Sequence, residues 1–160
     1  MNKIIYEKIY PSDYEELTKI MTSAFDKDTT MHTDMKEGGP TGYNDGSLIK
    51  KLNDNEKFES FKIIYEGNTV GAYSIGFNHA KEYSLEMLFI DPDCKGHHLG
   101  TLVWKDIEEK YLTAKRWTVE TPDYSLKNHH FYTKNCGFTF LKQNICNNGA
   151  YSFVFIKEKE

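Results

Sequence analysis

The sequence has little that would fix a fold by covalent cross-links. It contains only three cysteines, Cys94, Cys136 and Cys146. Their number is odd and no C-x-x-C spacing occurs, so the pattern indicates neither a disulfide framework nor a zinc site. We expect three reduced thiols, as is typical of a cytoplasmic protein.

Long apolar runs are also missing. No segment approaches the roughly 20 consecutive apolar residues that a membrane-spanning helix needs. The N-terminal stretch is charged and broken by Pro11, and it lacks the apolar core of a signal peptide. We therefore expect a cytoplasmic protein without a membrane segment.

An excess of positive charge is absent as well. The formal net charge is −4, which argues against the basic face that general nucleic-acid binding requires. The same balance is compatible with a neutral or cationic small molecule as ligand.

What the chain does have is a globular composition. Of its 160 residues, 39% are hydrophobic and 14% aromatic, so large side chains must fill a core or line a pocket. We find no repeat, low-complexity stretch or linker, and we therefore expect one domain over residues 1–160.

The hydrophobic periodicity predicts a mixed α/β fold with the order β-α-α-β-β-β-α-β-α-β-β. Strands are expected at 3–10, 61–66, 69–78, 83–91, 117–121, 138–144 and 150–158, and helices at 11–25, 47–54, 99–114 and 125–137. Ser12 and Glu15 are expected to form a capping box, and Ser125 to cap the last helix. The helix at 99–114 is expected to bury Leu99, Leu102, Val103, Ile107 and Tyr111. Residues 26–46 are expected to form a long loop, which is usually functional or mobile.

The stretch DPDCKGHHLGTLVWKDIEEK, residues 91–110, places two glycines and two histidines between a buried strand and a helix. Loop N–H groups and a helix N-terminus there would suit a phosphate or pyrophosphate. The stretch is neither a Walker A loop nor a dinucleotide fingerprint. Taken alone, it is explained equally well as an ordinary connection with glycines for turning.

A second stretch, VETPDYSLKNHHFYTKNCGF at 119–138, changes this interpretation. Together the two resemble the acetyl-CoA-binding core of the GNAT superfamily of N-acetyltransferases, over about residues 60–140. The family pattern Q/R-x-x-G-x-G/A corresponds to the register of Lys95 to Thr101. The matching features of the later stretch are a strand, an asparagine, an aromatic–tyrosine pair and a Gly-Phe pair: 119–121, Asn128, Phe131-Tyr132 and Gly137-Phe138.

The resemblance implies a GNAT-like acyl-CoA N-acyltransferase fold, an α+β arrangement in which helices flank a central mixed, mostly antiparallel sheet. It also implies acetyl transfer from acetyl-CoA to a primary amine of a small molecule or peptide by direct attack. The residues that it assigns to acetyl-CoA are Leu88, Phe89, Ile90, Lys95, Gly96, His97, His98, Leu99, Gly100, Thr101, Asn128 and Phe131.

The sequence departs from the family pattern at two positions. Lys95 replaces the usual glutamine or arginine, so it offers a charge but not a bidentate fork. His98 replaces a glycine, so either the backbone avoids positive φ there or His98 is strained. No metal is expected, because the side chains of the pairs His97-His98 and 129–130 diverge and lack further ligands at suitable spacing.

Two residues are candidates for moving protons. Tyr132 matches the family's recurrent tyrosine and would protonate the departing thiolate, although a core aromatic is the alternative. Glu86 is the one carboxylate of an apolar strand and is our candidate base. It would otherwise be a solvent-facing edge residue or a structural hydrogen-bond acceptor, and Glu120 or water competes for the role.

The acceptor is the least determined part. The acidic residues of 26–46 would draw a cationic amine, or they are simply solvated. Tyr43, Tyr73 and Phe77 would line the acceptor slot or belong to the core. A non-catalytic acyl-CoA-binding sensor or scaffold of the same fold, and an unrelated phosphate-binding α/β protein, are the alternatives. Pairing of the C-terminal strands in a homodimer stays open.

Overall fold

In the computed structural model, which describes residues 3–94 and 98–159, the strands form one mixed sheet. The described residues give seven strands in the order β1-β2-β3-β4-β5-β7-β6. The strands are β1 Ile4–Lys8, β2 Phe58–Tyr65, β3 Asn68–Phe77, β4 Glu82–Ile90, β5 Arg116–Pro122, β6 Thr139–Ile145 and β7 Tyr151–Glu158. The α-helices are α1 Tyr14–His32, α2 Ser47–Asp54, α3 Leu99–Lys110 and α4 Leu126–His130.

Only the β4–β5 pair is parallel among these strands, and it is short. Its pairs run from Glu82 with Arg116 to Leu85 with Val119. Because β4 continues to Ile90 and β5 to Pro122, the two strands separate beyond the last pair. We call the resulting opening the strand gap.

A β-bulge lies at the start of the strand gap. Ser74 pairs with Met87, but the next residue of β3, Ile75, pairs with Leu85. Glu86 is therefore the extra residue of β4, which bends the strand locally.

The sheet carries helices on both faces. One core cluster joins the sheet to α3 and the segment after α4, around Trp104, Trp117 and Phe138. The second cluster lies under α1 and α2, around Leu17, Met21 and Ile49. Burial of these large side chains supplies the main stabilisation of the three-layer arrangement.

The predicted elements are confirmed in type and order, but α1 is longer than expected. It runs to His32, so the loop begins at Thr33 and not at residue 26. The physical reason is tertiary contact: Thr29 is buried, and its hydroxyl donates to the Gly38 carbonyl at 2.8 Å. Such contacts override the weak helix propensity of Asp and Thr.

Two further local expectations were wrong. At the start of α1, the Tyr10 N–H is bound by the Asp13 carboxylate at 2.9 Å, where a Ser12–Glu15 capping box was expected. On α3, Leu102 is 43% exposed, and Trp104 is buried in its place. Trp104 packs against Trp117 and Phe138, so the tertiary partners select the buried face.

Candidate active site

The strand gap opens into a cleft of about 180 Å³ between α1, the end of β4 and the start of α4. From β4, the lining residues are Leu88, Phe89 and Ile90. Leu88 and Ile90 pack toward α3, whereas Phe89 packs toward α1. Since these side chains point to the two faces of the sheet, the backbone of 88–90 is what borders the gap. The resemblance assigned these three residues to the cofactor.

Residues of α1 form the opposite wall of this cleft, on a helix that the sequence analysis expected to end at residue 25. They are Ala24, Phe25, Lys27, Asp28 and Met31. Their spacing of three to four residues is helical, and it went unused because a loop was expected at residues 26–32.

Asn128 lines the cleft together with Lys127. Its side-chain amide donates to Thr121 Oγ1 at 3.4 Å, which ties α4 to the end of β5. Ser125 does not cap α4 with its side chain. Its hydroxyl instead donates to Asp28 Oδ2 at 2.5 Å.

Three hydrogen bonds connect the end of α1 to residues 124–127, which lead into the first turn of α4. Ser125 donates to Asp28, Tyr124 shares a hydrogen bond with Thr29 at 3.2 Å, and the Lys127 N–H donates to His32 Nε2 at 3.4 Å. This three-bond latch crosses from one wall of the cleft to the other.

The N-terminus of α3, the next helix after β4 along the chain, presents unpaired backbone donors. The first intrahelical bond runs from the Leu102 N–H to the His98 carbonyl at 3.1 Å. The N–H groups of Leu99, Gly100 and Thr101 therefore precede the helical ladder and favour an anion. The Leu99 side chain is buried in the core, so only its backbone is available. Lys95, Gly96 and His97 lie outside the described residues.

His98 adopts the left-handed conformation, with φ 53° and ψ 32°. Of the two possibilities for this replaced glycine, the structure shows the strained one. A left-handed residue with a side chain costs about 1–2 kcal/mol relative to the right-handed region, although histidine is among the residues enriched there.

Gly100 allows α3 and the segment after α4 to approach closely. A Cβ placed on Gly100 would lie 3.2 Å from Cε1 and from Cζ of Phe131. Phe131 thus packs directly over the first turn of α3. Thr101 is also engaged with the later segment, since its hydroxyl accepts from Asn135 Nδ2 at 3.2 Å.

Tyr132 is buried in the core cluster, and it is not among the cleft-lining residues. Its ring packs against Phe131, Phe138 and Phe155 at centroid distances of 5.2 to 6.5 Å. Burial raises the pKa of Tyr132, and nearby Cys136 and Asp28 raise that pKa further. The backbone here is a π turn, Phe131–Asn135, of a kind often found at functional sites.

Glu86 is exposed, which is the solvent-facing alternative that the sequence left open for this residue. The bulge explains this. Glu86 accepts from Ser84 Oγ at 2.7 Å, which places both side chains on the face opposite to Leu85 and the α3 core. The carboxylate therefore faces solvent on the α1 side, beside the start of the strand gap.

Glu120 occupies the equivalent position on β5. It follows Val119, the partner of Leu85, and its exposed carboxylate accepts from Ser152 and from Asn144 Nδ2. Neither Glu86 nor Glu120 forms an ion pair with another described residue within 4 Å. Two carboxylates without an ion-pair partner in this part of the chain thus flank the point where β4 and β5 separate.

Acidic residues of the segment 26–46 make hydrogen bonds that hold the fold together, more than they form a charged rim. Asp26 accepts from Tyr43 at 2.6 Å and from the Gly38 N–H at 3.0 Å. Asp45 accepts from Ser47 at the start of α2. Tyr43 and Tyr73 are buried core residues, and neither they nor Phe77 line the cleft.

Comparison with protein families and solved structures identifies this architecture. Residues 14–138 match the model of the acetyltransferase (GNAT) family. An acetyltransferase from Thermus thermophilus superposes with a TM-score of 0.78 at 15% identity, covering 98% of this chain and 97% of that one. PaiA N-acetyltransferase from Thermoplasma acidophilum, solved in complex with coenzyme A, gives 0.71 at 14% identity, covering 98% and 99%. A Bacillus subtilis acetyltransferase in complex with CoA gives 0.70 at 15% identity, covering all of both chains.

The chain belongs to the GNAT family of acetyltransferases. At these identities, the structural neighbours show the shared fold alone. No curated protein sequence matches the chain.

Membrane spans and metal clusters are both absent from the part of the chain that the structure describes. No helix there has the length and hydropathy of a membrane span. Residues 3–94 and 98–159 also contain no group of three or more His, Cys, Asp or Glu side chains arranged for a metal ion.

Proposed function

We propose that this protein is an N-acetyltransferase that moves the acetyl group of acetyl-CoA to a primary amine of a small molecule or peptide. The observation that carries the proposal is the strand gap. The backbone of Leu88 to Ile90 borders it, and Leu99, at the start of α3, belongs to the core cluster against which Leu88 and Ile90 pack. This combination offers an extended strand edge for a pantetheine arm and free N–H groups for a pyrophosphate.

Holding the two reactants supplies much of the rate enhancement. The β4 backbone would fix the thioester, the N–H groups of Leu99 to Thr101 would bind the pyrophosphate, and Asn128 would orient the arm. Holding the amine in line with the carbonyl turns a bimolecular step into an effectively unimolecular one.

In the chemical step, the neutral amine nitrogen bonds to the thioester carbonyl carbon and the C–S bond breaks. The departing thiolate would take the proton of Tyr132. Burial raises the pKa of Tyr132, so the phenol holds its proton at neutral pH. The product amide nitrogen releases its proton through Glu86, with Glu120 or water as the competing route.

The alternative is a sensor or scaffold that holds acyl-CoA without turnover. The left-handed His98 in the phosphate-binding turn favours it, since the family pattern has glycine there. Retention of Tyr132 and of carboxylates at the strand gap favours the enzyme.

Calorimetric titration with acetyl-CoA, desulfo-CoA and ATP, followed by thiol release with a panel of amines, tests the proposal. We expect micromolar binding of acetyl-CoA, no binding of ATP, and thiol release with one class of amine. Binding without release from any amine would support the sensor. Failure to bind acetyl-CoA would leave only the fold in common with the family.

A further inference from the structure

Asp28 is a partly buried carboxylate in the wall of the cleft, and the roles assigned above do not use it. Its side chain is only 16% exposed. Ser125, which is fully buried, donates to Oδ2 at 2.5 Å and fixes the carboxylate in one orientation. The cleft that Asp28 borders is the one bordered by β4 residues 88–90 and Asn128.

The second oxygen of Asp28 lacks a strong partner. Oδ1 lies 3.7 Å from His32 Nε2, but that nitrogen accepts the Lys127 N–H at 3.4 Å. A ring nitrogen that accepts a hydrogen bond carries no proton to donate to Oδ1. Among the described residues, no lysine or arginine is paired with Asp28 within 4 Å. Partly buried carboxylates normally have such a partner.

The remaining walls of the cleft are mostly apolar. Phe25, Met31 and Ile90 contribute hydrophobic surface around the carboxylate. A ligand that matches one fixed carboxylate and apolar walls is a cation at one end and hydrophobic along its body. Lys27 and Lys127 also border the cleft, so the general field does not favour a cation. Recognition must therefore come from a short, directed hydrogen bond to Oδ1.

We propose that Asp28 binds the ammonium group of the acceptor and that Ser125 positions it, which selects hydrophobic primary amines as the acceptor class. This inference rests on the proposed acetyltransferase function. An arriving primary amine is an ammonium ion near neutral pH, and its N–H donates to Asp28 Oδ1 before the proton is lost. Asp28 thereby determines specificity, and Ser125 is a positioning residue that acts through it.

The test is a direct binding measurement on the full chain saturated with CoA, which does not depend on turnover. The probes are n-hexylamine and its neutral counterpart 1-hexanol. We expect hexylamine to bind at least about tenfold more tightly than hexanol. Asp28→Asn removes that preference, and Ser125→Ala reduces it by about threefold. Glu16→Gln, an exposed carboxylate change on the first turn of the same helix, leaves it unchanged.

Equal binding of hexylamine by the wild type and Asp28→Asn, or equal binding of the two probes by the wild type, would overturn the proposal. A second variant guards against misfolding at position 28. Met31 is half-exposed, so Met31→Lys is compatible with folding and places a cation in the cleft wall. It should abolish hexylamine binding but not hexanol binding, and retained hexylamine binding would also overturn the proposal.

The proposed function fails in a different way. Loss of CoA binding or of thiol release with every amine would contradict the acetyltransferase. The selectivity of the protein for hexylamine over hexanol would still report on Asp28, because the same titration can be run without CoA.

Discussion

The ring of Phe131 lies against Gly100, in the first turn of α3. A Cβ at 3.2 Å from two ring atoms is closer than ordinary van der Waals contact, so the ring or the helix would have to shift. The first turn of α3 is therefore placed by the segment that carries Tyr132. The position of the proposed phosphate-binding N–H groups and the position of the proposed proton donor depend on each other.

We expect Gly100→Ala to weaken acetyl-CoA binding about tenfold by displacing the first turn of α3. Its melting temperature should change little, because alanine gains up to about 1 kcal/mol of helix propensity over glycine and this offsets the strain. Calorimetry and thermal unfolding measure the two effects. Adding Phe131→Leu should restore part of the affinity, and strict additivity of the two changes would contradict the coupling.

The strained His98 predicts an order of stabilities. His98→Val should destabilise the protein by about 1–2 kcal/mol, because a β-branched residue tolerates the left-handed conformation worst. His98→Gly should be as stable as the wild type or more so, since glycine removes the strain but loses more entropy on folding. Chemical denaturation gives the values. If valine and histidine proved equally stable at this position, the backbone would not be left-handed in solution.

Tyr132→Phe should lower kcat by about 10²-fold or more while leaving the Kd of acetyl-CoA within about twofold, as expected for general-acid catalysis. The measurement is steady-state kinetics beside calorimetric titration. Equal loss of turnover and affinity, or loss of neither, would return Tyr132 to a purely structural role in the core.

A pair of matched variants distinguishes the roles of the two carboxylates at the strand gap. Glu86→Gln should lower the rate and flatten its alkaline rise, whereas Glu120→Gln should retain that rise, because Ser152 and Asn144 already engage the Glu120 carboxylate. The pH dependence of kcat/KM for each variant shows which of the two carboxylates acts as the base. An unchanged profile for Glu86→Gln together with a flattened one for Glu120→Gln would exchange the roles.

Stability should fall steeply at alkaline pH. Burial raises the pKa of Tyr43 to about 12 and of Tyr73 to about 12, and it raises the pKa values of Tyr6, Tyr111 and Tyr132 as well. Since the unfolded chain releases these protons near pH 10, each tyrosine stabilises the fold fully below pH 10, and the contribution is lost as the pH rises toward 12. Between pH 8 and 10.5, the free energy of unfolding measured by chemical denaturation should fall less for Tyr73→Phe than for the wild type. An equal loss would contradict the shift.

The sequence predicted the strands and the start of α3 well because each carries a local signal. The Pro92 that follows β4 and the alternation of β2 and β3 depend on neighbouring residues only. Of the described residues in the motif at 95–101 and 128–138, only Asn128 lines the cleft. The family resemblance assigned residues 88–90 to acetyl-CoA, and the structure places those residues at the strand gap.

The failures concern features that distant residues decide. Residues 26–32 are helical because Thr29 and Asp28 contact Gly38 and Ser125, which no local pattern reveals. The sequence left open whether Glu86 faces solvent, and a bulge that depends on the register with β3 turns it outward. Trp104 replaces Leu102 in the core because Trp117 and Phe138 lie opposite it. Asp28 was counted among the acidic residues of a loop at 26–46, because the helix that carries it was expected to end at residue 25.

The short pairing between β4 and β5 also has a mechanical consequence. Strands β1 to β4 and strands β5 to β7 are joined across the sheet by only four residue pairs, ending at Leu85 with Val119. The sheet therefore consists of two groups of strands with a short line of contact between them. The three-bond latch from α1 crosses the open side of the strand gap. A molecule that fills the strand gap would contact both groups of strands, and we expect its release to require that the three-bond latch opens.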